Sequence, residues 1–154
     1  MSRSRALAAA LVAASLGLVV RAADDSPEAG TFTIFKFERK IGAERYDITP
    51  SGNRLRLTSD FNFNDRGTGV SLATTFEFAP PLTPTHFTIK GDTARLSMID
   101  LEVSTVPAGT FTLAGYAPVS MQMELLRYWM SHGRPASIPL APQGAAHIEP
   151  RGRD

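Results

Sequence analysis

Histidine is the side chain best suited to proton transfer or metal binding near neutral pH, and this chain has three: His86, His132 and His147. None stands at metal-ligand spacing from another, since neither His-x-His nor His-Glu-x-x-His occurs. The absence of cysteine removes thiolate zinc sites, cysteine nucleophiles and disulfides together. Asp100 and Glu102 lie two apart, so a strand puts them on one face, where paired carboxylates can do acid–base work. With no partner visible in the sequence, they read as a solvated face. Gly69, Ser71 and Ala73 imitate a nucleophile elbow, which needs a strand, a sharp turn and then a helix. Here the serine begins a strand pattern instead. The segment DFNFN from Asp60 imitates the opening of a calcium loop, but Asp65 holds the place of the required glycine and Ser71 that of the bidentate glutamate. Gly67 and Gly69 lack the third glycine and the helix that phosphate cradling needs. No catalytic set assembles, and no metal or cofactor is expected.

The elements that must position these residues are mostly strands. Residues 31–41 (TFTIFKFERKI) have strong β composition, and Gly42-Ala43 reads as the turn into a second strand over 44–49, closed by Pro50 to Asn53. A third strand alternates cleanly: Leu55, Leu57, Phe61 and Phe63 point one way, Arg54, Arg56, Thr58, Asp60 and Asn62 the other. After the turn cluster NDRGTG, residues Val70, Leu72, Thr74, Phe76 and Phe78 line one face of a fourth strand, which Pro80-Pro81 ends. Strands over 85–90 and 94–103 are joined by Gly91-Asp92. Pro118 suits the first turn of a helix, and Met121, Leu125, Leu126, Trp129 and Met130 form its apolar stripe. His132, Gly133 and Pro135 supply a helix end, with His132 as a dipole partner. Short strands follow over 138–140 and 145–149. The fold class is therefore mainly β: an antiparallel meander sheet or half-barrel of about six to eight strands, covered by one amphipathic helix near the C-terminus.

The 154 residues suffice for one domain, and the formal charge of +1 excludes a dedicated nucleic-acid binder. Residues 1–22 read as a secretory signal peptide: Arg3 and Arg5 precede a 15-residue apolar run over 6–20, and Ala22 marks the cleavage site. As a membrane anchor that run falls short, because about 22 Å of helix cannot cross a hydrocarbon core of about 30 Å. No stable membrane span is expected once it is cleaved. Cleavage would leave 13 basic and 15 acidic residues, a net charge of −2. Residues 23–29 then form a polar leader, and 30–154 a single β-rich domain that reads as continuing beyond 154. The expected location is secreted or periplasmic, in a bacterium.

Several segments resemble the β-rich N-terminal region of secreted bacterial amidohydrolase-family proteins. They are GTFTIFKF from Gly30, the Ile41-Gly42-x-Glu44-x-Tyr46 turn, Phe61-x-Phe-Asn-Asp-Arg-Gly67, GYAPVS from Gly115, the stretch from Leu126 to Pro135, and IEPRG from Ile148. In that family the hydrolase site lies in a downstream barrel domain with His, Lys and Asp metal ligands, and no position here matches them. The resemblance implies a non-catalytic accessory domain whose partner is a downstream hydrolase domain, and whose enzyme, if any, is a metal-dependent amidohydrolase. Two other readings stand beside it. In one, a free-standing periplasmic module holds a lipophilic small molecule against Phe61, Phe63, Phe76 and Phe78 beneath the Trp129 helix; the same side chains equally suit a core. In the other, a complete small enzyme uses a histidine such as His86.

Overall fold

The computed structural model describes residues 27–93, 97–114 and 117–152. The predicted signal segment 1–22, its cleavage site at Ala22, and positions 23–26, 94–96, 115–116 and 153–154 lie outside the described residues. Six strands form one antiparallel meander in sequence order: β1 Glu28–Lys36, β2 Arg39–Ser51, β3 Arg54–Asp65, β4 Thr68–Ala79, β5 Thr83–Asp92 and β6 Met98–Val103. The sheet stays open, with β1 and β6 as its edges. A second, small sheet contains β7 Phe111–Thr112, β8 Ile138–Ala141 and β9 Ala145–Ala146, with β7 parallel to β8 and β9 antiparallel to it. The helix α1, Val119–Ser131, begins after Pro118 as the proline predicts.

Alternation decides the faces. Val70, Leu72, Thr74, Phe76 and Phe78 are all buried, and Leu57 and Phe61 join them from β3. Arg54, Arg56, Thr58, Asp60 and Asn62 face solvent on the opposite side, as expected. The cover consists of α1 and the small sheet, which contribute Met121, Leu125, Tyr128, Phe111 and Ile138 to the same core. Ring contacts tie the layers together: Phe78 to Phe76 at 5.1 Å, Phe76 to Phe111 at 5.4 Å and Phe111 to Tyr128 at 5.4 Å.

Three local expectations are corrected. The first hairpin turns at Phe37-Glu38, not at Gly42-Ala43, so the polar leader's Glu28 and Ala29 already belong to β1. Gly42 lies inside β2 for a steric reason: a Cβ there would meet the Asn62 carbonyl oxygen at 2.1 Å. The fifth strand also runs through Gly91-Asp92 before turning. The helix buries Ser120, Met121, Glu124, Leu125 and Tyr128, while Leu126 and Met130 are exposed. Its inward face is thus rotated away from the purely apolar stripe, toward a set that includes two polar residues. The last two short strands exist, but in the second sheet, and β7 had no signature long enough to be read.

Candidate functional site

Two carboxylates are buried where the helix meets the sheet. Glu44, fully buried on β2, accepts hydrogen bonds from the Ser59 hydroxyl at 2.7 Å, the Val119 amide at 2.5 Å and the Ser120 amide at 3.2 Å. The Ser120 hydroxyl donates to the same carboxylate. Pro118 offers no side-chain cap, so this remote carboxylate serves the orphan amides and the positive end of the helix dipole. Ser59 is buried on the apolar face of β3, where its hydroxyl is satisfied by Glu44.

The second carboxylate, Glu124, lies one turn further along the inward face. Arg127 Nη1 donates to it at 2.7 Å, and Arg127 Nη2 donates to Glu28 at 3.0 Å. The Tyr46 hydroxyl also donates to Glu28, at 2.9 Å. One guanidinium therefore bridges helix and edge strand. The two carboxyls respond oppositely. Arg127 holds Glu28 below the usual carboxylate range, whereas burial pushes Glu124 above it despite Arg127. Burial likewise raises the Tyr46 hydroxyl.

The open recess is elsewhere. A cleft of about 690 Å³ lies at the end of the sheet that carries the β2–β3 and β4–β5 turns, closed on one side by the loop 104–110 and by the C-terminal end of α1. Its polar groups are Arg54, Glu77, His86, Tyr128 and His132, with hydroxyls from Thr83, Thr85, Ser104, Thr105 and Thr110. Strand register builds one wall, because Glu77 and His86 stand opposite each other across β4 and β5, while Arg56, outside the lining, stands opposite Glu77 on β3. Arg56 donates to Glu77 through Nε at 2.9 Å and Nη2 at 2.7 Å, and Arg54 lies 3.5 Å from the other oxygen. That clamp holds the Glu77 carboxyl below its usual range. His86 Nε2 contacts Glu102 at 3.2 Å.

The opposite wall is the helix end. His132 stacks on Tyr128 with ring centroids 3.8 Å apart, and its Nδ1 lies 2.9 Å from the Tyr128 carbonyl oxygen. The Ser131 hydroxyl lies 3.0 Å from the same nitrogen, so Nδ1 is engaged at the helix end. His132 is the C-cap residue of α1, at the helix end that the sequence indicates. Burial raises the Tyr128 hydroxyl above its ordinary value.

The fates of the other sequence candidates are plain. Phe61, Phe76 and Phe78 are buried in the core, and Phe63 and Trp129 pack against it partly buried. The Trp129 indole donates to the Pro135 carbonyl at 3.0 Å. His147 contacts the Ala136 carbonyl at 3.1 Å, away from His86 and His132. Asp100 and Glu102 share a face as predicted, yet each has a partner: Lys90 at 3.1 Å for the first and His86 for the second. Among the described residues, no group of three His, Cys, Asp or Glu side chains could hold a metal ion. Glu44, Glu124 and Tyr128 were missed as key residues; the one available signal for the glutamates was a charge breaking an apolar pattern. Comparison with protein-family models, curated proteins and solved structures found no match to this chain.

Proposed function

We propose that this chain is a non-catalytic binding domain of an exported protein, and that its end cleft takes a small hydroxylated polar molecule. The observation that carries the reading is the division of labour among polar groups. Glu44 ties the helix start to the sheet and Glu124 is taken up by Arg127, while the cleft gathers two imidazoles, a guanidinium, a clamped carboxylate and a ring of hydroxyls. Such a lining suits a ligand recognised by many hydrogen bonds and one aromatic surface. The Ser131 hydroxyl lies 3.0 Å from His132 Nδ1, but it donates to the Tyr128 carbonyl at 3.0 Å and is not part of the cleft lining. A domain of this kind is accessory to chemistry done elsewhere, in keeping with the segments that resemble the leading region of secreted amidohydrolase-family proteins.

A lipophilic guest between sheet and helix is less well supported. Phe76, Phe111 and Tyr128 already fill that space with one another. The test is a nuclear magnetic resonance titration with a panel of monosaccharides and hydroxy acids, following the His86 and His132 imidazoles. Saturable shifts at both rings are expected, with the His86 shift lost in an Arg54→Ala/His132→Ala double variant that stays folded. No saturable shift with any member, alongside saturable displacement of an apolar dye, would replace this reading with the lipophilic one.

A further inference from the structure

The opposite end of the sheet carries a different surface. In a meander, alternate turns share one end, so the β1–β2, β3–β4 and β5–β6 hairpins all project away from the cleft. With strands about 4.8 Å apart, the first and third tips lie roughly 20 Å from each other. Three of the five large apolar side chains exposed among the described residues sit at this end: Phe37 at 90%, Met98 at 80% and Phe35 at 62%. Single exposed apolar residues need no explanation, but two aromatics and a methionine at one extremity do.

The first tip is also strained. Phe37 and Glu38 form its two-residue turn with φ of +48° and +63°. Asn and Gly fill such turns because a bulky side chain resists positive φ. An aromatic at the apex therefore costs stability and gains no packing in return, which is the pattern of a residue kept for contact with something else.

Charge identifies the something else. Lys36, Arg39, Lys40 and Arg66 on the first two tips outnumber Glu38 and Asp65, and an open groove of about 450 Å³ between these tips is lined by Lys36, Arg39 and Arg66. Asp92 on the third tip is the remaining acid there. Projecting aromatics ringed by cations match a bilayer interface, where rings enter the acyl boundary and cations meet anionic headgroups. Among the described residues no helix is long and apolar enough to cross a membrane, and shallow docking needs none.

We propose that the hairpin-tip end of the sheet docks on an anionic lipid surface through Phe35 and Phe37, with Lys36, Arg39, Lys40 and Arg66 on the headgroups. Docked this way, the protein holds its cleft away from the membrane, open to solvent.

Co-sedimentation with vesicles of phosphatidylcholine alone, or with about a third phosphatidylglycerol, tests this on the full chain. The decisive variant is Phe37→Asn, because the two consequences have opposite signs. It relieves the positive φ, so its melting temperature rises, while its partition onto the anionic vesicles falls about tenfold. Any apolar N-terminal run that the preparation retains is common to both proteins, so their difference reads the tip. Arg39→Glu/Lys40→Glu lowers binding to the anionic vesicles, and added salt does the same to the wild type. Equal partition of wild type and Phe37→Asn overturns the proposal, as does a variant no more stable than wild type. Self-association that Phe37→Asn abolishes, without vesicle binding, also overturns it and makes the tip an interface between copies.

Discussion

The Glu44 carboxylate accepts the Val119 amide at 2.5 Å, a bond that joins the second strand to a helix 75 residues later. Glu44 thereby acts as the missing N-cap of α1, and it sets both where the helix begins and which face turns inward. Replacing it with alanine strands the Val119 and Ser120 amides and the Ser59 and Ser120 hydroxyls in a buried site. The expected cost of Glu44→Ala is about 3–5 kcal/mol, near the upper range for a broken buried network. Glu44→Gln keeps the shape but turns an amide toward amide donors, so it loses about 2–3 kcal/mol. Urea unfolding reads both, and a Gln variant within a few tenths of wild type would sink the capping role.

The Arg127 bridge gives a stability profile with two opposing slopes. Glu28 has its folded pKa lowered by Arg127, so it contributes stability above its unfolded value of 4.5 that is lost as pH falls through the folded value. Glu124 has its folded pKa raised by burial, so its contribution is full below 4.5 and lost as pH rises through the folded value. Relative to Glu28→Gln, wild type therefore gains stability as pH rises through the acid range. Relative to Glu124→Gln, wild type loses stability on going from about pH 4 to pH 7. Midpoints measured at both pH values check the signs, and slopes of the same sign for the two variants would contradict the assignment.

Alternation made β3 and β4 legible because each has one face fully committed to the core, and a one-residue slip would turn every Phe and Leu outward. The first turn was illegible for the opposite reason: Phe37 and Glu38 are poor residues for positive φ, while the nearby Gly42 advertises a turn that its close approach to Asn62 explains better. The helix face was misjudged because periodicity weighs apolarity alone. Ser120 and Glu124 are buried since Glu44 and Arg127 satisfy them, and Glu44 is remote in sequence. The cleft was invisible for a similar reason, being assembled from strand ends and a loop that share no motif.

Gly42 tests that close approach directly. A methyl group at this position would press on the Asn62 carbonyl and on the Phe63 backbone, neither of which can swing away as a flexible side chain can. Gly42→Ala should therefore cost about 1–3 kcal/mol, the usual penalty for overpacking, although alanine is favoured over glycine on strand entropy. Gly52→Ala meets nothing within 4 Å, but its φ of +65° gives a smaller, conformational cost of about 1 kcal/mol. A thermal melt in which Gly42→Ala matches or exceeds wild type would show that β2 and β3 can separate there without loss.

The Glu77 clamp is a weaker element. Its carboxyl is mostly sheltered, but the Arg54 and Arg56 side chains are nearly half exposed, so solvent screens much of the attraction. Glu77→Gln should cost no more than about 1 kcal/mol at pH 7, with the deficit shrinking in high salt and as pH falls through the lowered Glu77 pKa. If the deficit holds constant in molar salt, packing rather than charge accounts for it.

Two of the three helix methionines, Met121 and Met130, discriminate between the apolar stripe and the face that the structure buries. Both look alike in sequence, and both belong to the stripe that periodicity picks out. Met121 is fully buried against the sheet, whereas Met130 is more than half exposed. Truncating Met121 removes side-chain burial and leaves a cavity that the rigid sheet beneath cannot close, so Met121→Ala should lose about 2–5 kcal/mol. Met130→Ala removes little buried area and replaces methionine with a better helix former, so its effect should stay within about 0.5 kcal/mol of zero. Chemical denaturation of the pair measures the helix rotation itself: comparable losses at 121 and 130 would restore the stripe, and a loss confined to 121 fixes the face that Glu44 and Arg127 select.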